Sequence, residues 1–288
     1  MKILILGAKG MLGHGLMEVF SDLEPIGWDI DPPPLVKGGG VDITDKSSTS
    51  KKISDLGPDI VINAAAYTNV DASETKKELA MEVNGEAVEY LAEICAKLGT
   101  ILVHYSTDYV FDGRKREGYT ENEIPKNPVN IYGQSKLLGE KKISNCKLQN
   151  SNFKFYLIRT SWLFGPYGKN FAGTILNLSK TRDKIKVVND QWGKPTYTLD
   201  LARATRKIIE EKYPSGVYHL TNEGVCSWYE FAKEIVRLVG LKTKVLPCKS
   251  EEFPRPAKRP HYSILLNTKL PPMRSWQEAL KEYLKIKN

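Results

Sequence analysis

The feature that most constrains this chain is a glycine-rich turn that directly follows its first apolar run. Residues 2–6 read KILIL, and Gly7 then opens a GxxGxxG pattern that Gly10 and Gly13 complete. A short continuous apolar run is typical of a buried parallel strand, and residues 10–20 carry apolar side chains at helical spacing. A strand, a glycine turn and a helix in this order predict a nucleotide-binding unit, because bare backbone amides at a helix N-terminus bind phosphate.

Strands and helices go on alternating through the first half of the chain. Further strands are predicted at 26–30, 59–63, 100–105 and 154–159, and helices at 82–98 and 132–142. This alternation predicts an α/β fold with a Rossmann-type, doubly wound parallel sheet. The prolines and glycines between Pro32 and Gly40 predict a loop within it.

The pattern loosens after Phe164. Helices are predicted at 170–180, 200–211, 227–238 and 275–285, and a strand at 217–220. The chain has 288 residues, enough for one large domain or two closely joined ones. We expect residues 1–165 to form the dinucleotide-binding domain, completed by parts of 185–225. Residues 166–288 are expected to form mainly a smaller, interleaved substrate-binding domain.

Charge and hydropathy exclude two classes of partner. The formal net charge is +8, but the lysines are scattered among acids, which predicts a solvated surface and also suits a phosphate-bearing ligand. The sequence has no basic stripe with interleaved aromatic residues, which is the pattern that would indicate nucleic-acid binding. No apolar run approaches the roughly 20 residues that cross a bilayer. We therefore expect neither nucleic acid nor membrane as a partner.

The cysteine pattern predicts a redox compartment. Cys95, Cys146, Cys226 and Cys248 form no CxxC pair, and the N-terminus reads as a strand rather than as a signal peptide. Widely spaced, unpaired cysteines are typical of reduced thiols. We expect a cytoplasmic protein.

Small residues line the expected path of a dinucleotide. The residues assigned to its pyrophosphate end are Gly7, Gly10, Met11 and Leu12, in the turn and at the start of the helix. Beyond the strand at 59–63, the small side chains of Ala64, Ala65 and Ala66 let a cofactor lie against the backbone. The alternative for these alanines is a close contact between helix and sheet.

Acidic residues mark the adenosine end of the same site. Asp29 ends the second predicted strand, where a carboxylate accepts a hydrogen bond from a ribose hydroxyl. Asp31 is a rival, either acid also fits a solvated loop, and Lys9 instead favours an additional phosphate. The sequence therefore predicts NADPH or NADH without choosing between them. Asp42 and Ile43 fit an adenine pocket, and Asp42 equally fits an N-cap or a turn.

Tyr132 and Lys136 are the predicted acid–base pair, in the sequence YGQSK. Four residues apart on a helix, their side chains lie on one face. Ketone reduction needs a proton on oxygen, and a lysine ammonium makes a phenol with an ordinary pKa of roughly 10 a better acid. Lysine also holds a nicotinamide ribose, so both residues count as catalytic and as cofactor-binding. Without its context, a YxxxK pattern is typical of a surface helix.

The fourth predicted strand leads into Ser106 and Thr107, at the carboxyl edge of the sheet. Thr107 is placed to hydrogen-bond the carbonyl oxygen that Tyr132 protonates, or it simply caps the strand end. His104 lies inside the apolar part of this strand. We expect it to be a buried histidine with satisfied hydrogen bonds rather than a base.

Several longer motifs resemble one family. They are NAAAYTNVDASE at 63–74, STDYVFDG at 106–113, YGQSK at 132–136, RTSWLFG at 159–165 and NDQWGKPT at 189–196. In order and spacing they resemble the dTDP-4-dehydrorhamnose reductases, a group of extended short-chain dehydrogenases, and the resemblance covers almost the whole chain. It implies a Rossmann fold, NADPH or NADH, and reduction of the C4 ketone of dTDP-4-dehydro-L-rhamnose to dTDP-L-rhamnose.

The resemblance also implies roles for individual residues. It assigns catalysis to Thr107, Tyr132 and Lys136. It assigns the nucleotide-sugar substrate to Thr107, Asp108, Val110, Trp162, Asn170, Gln191 and Arg259. Alternatives remain at several of these positions. Trp162 also fits core packing, Gln191 fits a turn, and Arg255 is a neighbouring rival of Arg259; Trp192 stands where the family pattern has a tyrosine.

Metal and assembly expectations follow from the same resemblance. Family members that use Mg²⁺ bind it through glutamates at a dimer contact, and Glu18 is the one candidate that can be placed here. A glutamate on a first helix is typical of a solvated surface, and no clustered His/Cys ligand set is present. We predict no required metal, and the resemblance allows a homodimer.

Two other functions compete with this prediction. One is a non-catalytic, cofactor-binding regulatory subunit, such as the beta subunit of methionine adenosyltransferase, which resembles the same family. The other is an enzyme of the same fold that acts on a different nucleotide keto-sugar, as a reductase or an epimerase. Thr107 followed by DYVFD, together with RTSW, favours the reductase group.

Overall fold

The computed structural model describes residues 1–31 and 39–287, so residues 32–38 of the predicted loop lie outside the described part. Its strands are β1 (Ile3–Leu6), β2 (Ile26–Trp28), β3 (Ile60–Asn63), β4 (Ile101–Thr107), β5 (Phe155–Thr160), β6 (Leu163–Phe164), β7 (Lys184–Val188), β8 (Trp192–Gly193), β9 (Thr196–Tyr197), β10 (Gly216–His219), β11 (Cys226–Ser227) and β12 (Lys244–Cys248). Its helices are α1 (Met11–Val19), α2 (Lys46–Leu56), α3 (Val70–Ser73), α4 (Lys77–Met81), α5 (Ala87–Leu98), α6 (Ile131–Gln149), α7 (Phe171–Ser179), α8 (Thr198–Glu210), α9 (Trp228–Leu238) and α10 (Trp276–Lys287).

A six-stranded parallel sheet forms the centre of the fold. Its strand order is β10-β5-β4-β3-β1-β2, and every neighbouring pair is parallel. The chain passes from β1 to β2 on one side and then to β3 on the other side of β1, so the strand order reverses between β1 and β3. A crevice opens at the carboxyl ends of the strands at such a point. The predicted doubly wound, Rossmann-type sheet is confirmed.

Alternating side chains of the central strands bury two helical layers. Leu4 and Leu6 of β1 point to the layer of α2, α5 and α6, whereas Ile3 and Ile5 point to the layer of α1 and α8. All four of these side chains are at most 1% exposed, as expected for a strand covered on both faces. The sequence of β1 is apolar at every position for this reason.

The later part of the chain packs around a hydrophobic cluster of its own. Phe164, Tyr197, Phe231 and Tyr283 are fully buried where α7, α9 and α10 meet. Three small two-stranded sheets accompany these helices: β7 with β12, β8 with β11, and β6 with β9. Strand β10, from the stretch predicted to complete the first domain, pairs with β5 in the central sheet.

Several element boundaries differ from the sequence prediction. Strand β4 continues to Thr107, and α6 continues to Gln149, well past the predicted end. The helix predicted at 82–98 begins as a π-helical segment at Glu82–Glu86. The predicted second strand ends early at Trp28, because Asp29 pairs only through an isolated bridge to Gly40. No helix within the described residues is long and apolar enough to cross a membrane.

Candidate active site

A cavity of about 520 Å³ lies at the carboxyl ends of β1, β2 and β3. Eight of the residues predicted to bind a cofactor line it: Gly7, Gly10, Asp29, Asp42, Ile43, Ala64, Ala65 and Ala66. Tyr67, Leu79 and Val83 line it as well, and the sequence analysis missed them. Tyr67 directly follows the three alanines, so its position was readable from the motif. Leu79 and Val83 approach from a helix, and no local pattern marks them.

The glycines of the turn fit a cofactor that lies against the backbone. Gly7 has a φ of +75°, and a Cβ there would stand 2.6 Å from the backbone nitrogen of Ala65. A side chain at Gly13 would overlap the carbonyl oxygen of Gly7, so these two glycines close the turn onto β3 and α1. Gly10 is the N-cap of α1 in extended conformation, and its face toward the cavity stays bare. A dinucleotide pyrophosphate therefore fits this turn.

Met11 and Leu12 begin helix α1 behind the turn. Leu12 is 8% exposed and packs in the hydrophobic core between α1 and the sheet. Met11 lies next to Gly168, whose Cβ would stand 3.5 Å from that of Met11. Among the described residues, neither lines the cavity, and their contact with a cofactor stays a prediction.

Asp29 and Lys9 both line the cavity, at the end where an adenosine is predicted. Asp29 accepts hydrogen bonds from the backbone amides of Lys9, at 2.9 Å, and of Ile30, at 2.8 Å. The Lys9 ammonium pairs with Asp31 at 3.0 Å. Asp42 accepts from the amide and the hydroxyl of Thr44, so it is a turn residue that also lines the cavity. The turn interpretation of Asp42 is confirmed, and its place beside an adenine stays a prediction.

Thr107, Tyr132 and Lys136 come together where β4 ends and α6 begins. The side chains of Tyr132 and Thr107 share a hydrogen bond, and the Thr107 hydroxyl donates to Asp108 at 2.8 Å. Asn130 caps α6 by accepting from the amide of Gly133 at 2.8 Å, which fixes the turn that carries Tyr132. A proton donor and a second hydroxyl thus lie side by side.

Burial dominates the proton chemistry of this pair. It raises the pKa of Tyr132 to about 12, against the lowering effect of the hydrogen bond with Thr107. The direction is opposite to the one expected from a neighbouring ammonium. Burial lowers the pKa of Lys136 to about 8, against the effect of the Glu140 carboxylate. In the protein alone, Tyr132 is therefore a neutral phenol, ready to donate a proton.

A buried ion pair lies beneath Lys136. The guanidinium of Arg159 donates to both carboxylate oxygens of Glu140, at 3.0 and 2.8 Å, and the Ser106 hydroxyl also donates to Glu140. Arg159 further contacts His219 at 3.3 Å. These contacts join α6 to β4, β5 and β10, so they hold the helix that carries Lys136 against the sheet. This role of Glu140 was not predicted, because Glu140 lies on a charged stretch of helix that has no distinguishing motif.

His104 is buried but only partly satisfied. Its Nδ1 contacts the side-chain amide of Asn63 at 3.1 Å, and the Asn63 oxygen accepts from the amide of Ala65. Its Nε2 is buried with no hydrogen-bond partner among the described residues. Burial lowers the pKa of His104 well below its ordinary range, so the ring is neutral. The expectation of a buried histidine is confirmed, and its Nδ1 has a hydrogen-bond partner among the described residues.

Asp108 and Val110 follow Thr107 in a short 3₁₀ turn. Asp108 is 3% exposed, and burial raises its pKa to about 7 against hydrogen bonds from Ser263 and Thr107. Its Oδ2 is buried without a partner among the described residues. Val110 is fully buried with Phe111 in a small cluster, so its side chain does not face a cavity.

The more distant substrate residues have engaged side chains. Trp162, at a φ of +48°, stacks on Trp228 with ring centroids 3.5 Å apart. Asn170 caps α7 and donates to the carbonyl of Gly165. Gln191 donates to Ser250 at 2.9 Å. Their contacts with a substrate stay predictions.

Arg259, the predicted diphosphate ligand, pairs with Asp71 at 2.9 Å. Burial raises the pKa of the neighbouring Tyr109 phenol, and the charges of Asp108 and Arg259 have smaller, opposite effects on it. The Tyr109 and Tyr132 rings meet edge to face at 6.0 Å. Arg255 also approaches Asp71, at 3.7 Å.

The candidate metal residue Glu18 accepts a hydrogen bond from Tyr167, whose ring stacks on His14. Within the described ranges, no group of three His, Cys, Asp or Glu side chains is arranged to hold a metal ion. All four cysteines are free and buried.

The whole chain, residues 1–288, matches the family model described as RmlD substrate binding domain. The spore coat polysaccharide biosynthesis protein SpsK of Bacillus subtilis is 40% identical over 98% of this chain and 96% of its own length. The crystal structure of a dTDP-4-dehydrorhamnose reductase from Clostridium acetobutylicum superposes with a TM-score of 0.91, at 43% identity and with 99% of each chain covered. The corresponding reductase from Bacillus anthracis, solved in complex with NADP, gives a TM-score of 0.89 at 38% identity over 100% of this chain and 99% of its own. This chain belongs to the dTDP-4-dehydrorhamnose reductase family.

Proposed function

We propose that this protein is an NADPH- or NADH-dependent oxidoreductase that reduces the C4 ketone of dTDP-4-dehydro-L-rhamnose to dTDP-L-rhamnose. The observation that carries the proposal is that Thr107, Tyr132 and buried Lys136 come together where β4 ends and α6 begins, at the sheet edge that also forms the glycine-lined cavity. The family relatives named as reductases of this sugar nucleotide support the choice of substrate.

Each catalytic residue has a role that its surroundings support. A bound nicotinamide cofactor supplies the hydride. Tyr132 donates its phenolic proton to the ketone oxygen; its pKa of about 12 keeps that proton on the phenol at neutral pH, as an unshifted phenol would also do. Thr107 orients the same oxygen by a hydrogen bond. Lys136 places a positive charge beside the developing tyrosinate and holds the cofactor ribose.

The proposed cofactor site is the glycine turn together with the cavity wall. The first amides of α1, those of Met11 and Leu12, bind the pyrophosphate, and Gly7 and Gly10 leave the room for it to approach; their own amides donate within the fold, to Trp28 and to Gly7. Asp29 meets the adenosine ribose, and Asp42 with Ile43 borders the adenine. Ala64, Ala65 and Ala66 leave room for the dinucleotide to cross β3.

The proposed substrate site uses the residues around the catalytic pair. Asp108 and Thr107 lie closest to the reacting oxygen. Trp162 borders the sugar, and Arg259 binds the diphosphate by charge-assisted hydrogen bonds. Asn170 and Gln191 support this wall. For Val110 the proposal is limited to its backbone, since the side chain is fully buried.

We also propose a domain arrangement and a location. Residues 1–165 with parts of 185–225 bind the cofactor, and the remainder of 166–288 binds mainly substrate. A homodimer without a required metal remains our proposal for the assembly. The four free cysteines favour a cytoplasmic location.

A substrate panel tests the proposed function. Purified protein is given NADPH or NADH with dTDP-, UDP- and GDP-linked 4-keto sugars, and loss of the reduced cofactor is followed. We expect the dTDP-4-dehydro-L-rhamnose reaction to be fastest. A faster reaction with another sugar would assign the protein to a different keto-sugar. Tight cofactor binding with no reduction of any sugar would contradict the proposal and favour a regulatory subunit.

A further inference from the structure

The loop that carries Arg259 is tied to both halves of the active site. On one side, Asp71 pairs with Arg259 at 2.9 Å and accepts from the amide of Ala257 at 3.3 Å. On the other side, the side-chain amide of Asn130 donates to the carbonyl of Lys258 at 2.8 Å. Asn130 is the N-cap of α6, two residues before the catalytic tyrosine.

Asp71 lies on a rigid support that leads from the cofactor cavity. It belongs to α3, which Asn69 caps by accepting from the amide of Ala72 at 3.0 Å. Tyr67, four residues before Asp71, lines the cavity. The side chain of Asn84 accepts a hydrogen bond from the backbone amide of Tyr67 and donates one to its carbonyl. The carboxylate of Asp71 is therefore fixed relative to the cofactor site.

The contacts of Arg259 leave one edge of its guanidinium available. Among the described residues, its hydrogen bond to the Ala257 carbonyl, at 2.6 Å, and its pairing with Asp71 both use Nη1. A guanidinium is a planar fork of five N–H donors, so fixing Nη1 also fixes the directions of Nε and Nη2. That edge matches the spacing of two phosphate oxygens.

The charges at the loop allow Asp71 to hold Arg259 in place without cancelling all of the positive charge there. Arg255 and Arg259 both face the single carboxylate of Asp71, so one positive charge remains. The Arg259 side chain is 18% exposed, which restricts its rotamers while leaving it reachable. Pro260 packs closely against Gly113, so the loop has a third support next to the strand end of Thr107.

We infer that Asp71 is a positioning residue that orients Arg259 toward the diphosphate of the nucleotide-sugar substrate. The inference rests on the proposed function and adds a residue to it. Asp71 does not touch the substrate; it acts through the guanidinium. The cofactor-lining segment and the substrate-binding loop are thereby joined through one ion pair.

Asp71→Asn tests this role, because it keeps the size of the side chain and an acceptor for the Ala257 amide. We expect the KM for dTDP-4-dehydro-L-rhamnose to rise about tenfold, the scale of one lost charge-assisted contact. We expect kcat to stay within about twofold and the affinity for NADPH to be unchanged, since diphosphate binding is made in ground and transition states alike. Asp22→Asn, which removes the partner of Arg206 away from the cavity, is the matched control and should change none of these constants.

A double-mutant cycle separates positioning from general destabilisation. If Asp71 acts through Arg259, the double variant Asp71→Asn/Arg259→Ala should have the same KM as Arg259→Ala alone. Independent, multiplied effects would overturn the inference. So would an unchanged KM, or a lowered KM, which would show that Asp71 competes with the substrate for Arg259.

The affinity for dTDP, measured by calorimetry, keeps this test independent of turnover. We expect Asp71→Asn and Arg259→Ala to weaken dTDP binding equally, at an unchanged melting temperature. If the wild type bound dTDP but reduced no keto-sugar, the proposed function would fail. The dTDP affinities of the variants would still test whether Asp71 positions Arg259. If the wild type reduced the sugar and both variants bound dTDP like the wild type, only the inference would fail.

Discussion

Burial, rather than neighbouring charge, sets the direction of the pKa shifts of Tyr132 and Lys136. It raises the pKa of Tyr132 to about 12, and it lowers the pKa of Lys136 to about 8, so Lys136 loses part of its charge near neutral pH. The spacing in the sequence correctly predicted Tyr132 and Lys136 as neighbours on one helix. The expected lowering of the tyrosine pKa was wrong, because the pKa is raised. Desolvation depends on how β4 and α6 enclose the residues, and spacing along the chain does not report it.

Removing the phenol tests its role as proton donor. Tyr132→Phe keeps the ring and its edge-to-face contact with Tyr109, so we expect the fold and the cofactor affinity to be retained. Turnover should fall by roughly 10²–10⁴-fold, the usual contribution of a general acid. The matched control is Tyr109→Phe, a buried neighbour for which turnover should change only a few-fold. Comparable rates for Tyr132→Phe and the wild type, measured by cofactor consumption, would refute the assignment.

The buried carboxyl of Asp108 predicts a pH dependence of stability. Burial raises its pKa from the ordinary value of 3.8 to about 7 in the folded state. The folded state therefore holds a proton that the unfolded state has lost, and stability falls as pH rises from about 4 through about 7. Asp108→Asn carries no charge and still accepts from the Thr107 hydroxyl.

We expect the melting temperature of Asp108→Asn to exceed that of the wild type by about a few degrees at pH 8. The gain should be smaller at pH 5, because the wild-type carboxyl is then still protonated in the folded state. Differential scanning fluorimetry at the two pH values measures both gaps. An equal gap at both values would show that Asp108 does not titrate in this range.

At the scale of elements, the glycine turn before α1 allows a test of cofactor binding without loss of the fold. Gly7 and Gly13 cannot accept a side chain, but a Cβ on Gly10 would meet only the carbonyl oxygen of Gly7, at 3.2 Å. We expect Gly10→Val to fold and to lose affinity for NADPH by at least about tenfold, because its methyl groups occupy the pyrophosphate path.

Fluorescence titration of NADPH measures this loss, and circular dichroism checks the fold. Gly39→Val is the matched control, because a Cβ at Gly39 would have no neighbour within 4 Å in the part of the chain that the structure describes. Wild-type affinity in a folded Gly10→Val protein would mean that the turn serves only the fold.

Several elements that could not be predicted from the sequence carry no local apolar pattern. Helix α2 reads KSSTSKKISDL and buries only Thr49 and Ile53, so no apolar stripe marks it. Strands β7 and β12 are partly exposed, and β12 contains Pro247. They become strands because they pair with each other across some sixty residues. Such pairing is a tertiary property that local propensity does not contain.

At the scale of the whole molecule, motifs located the active site but not the contacts that hold it. The glycine turn, the alanines after β3 and the tyrosine–lysine pair each carry a local signature. The pairing of Asp71 with Arg259 joins residues 188 positions apart in the chain. The sequence likewise contains no local pattern that predicts the pair of Glu140 and Arg159, because the two charged residues become partners only when α6 packs on β5.

We propose that this chain delivers a hydride and a proton to the C4 ketone of a dTDP-linked sugar. The most direct test of this proposal is to supply dTDP-4-dehydro-L-rhamnose with NADPH that carries deuterium at the transferable position of the nicotinamide. We predict dTDP-L-rhamnose with one deuterium on C4, identified by nuclear magnetic resonance and mass spectrometry of the product. No consumption of the sugar, or a product with deuterium on any other carbon, would contradict the account.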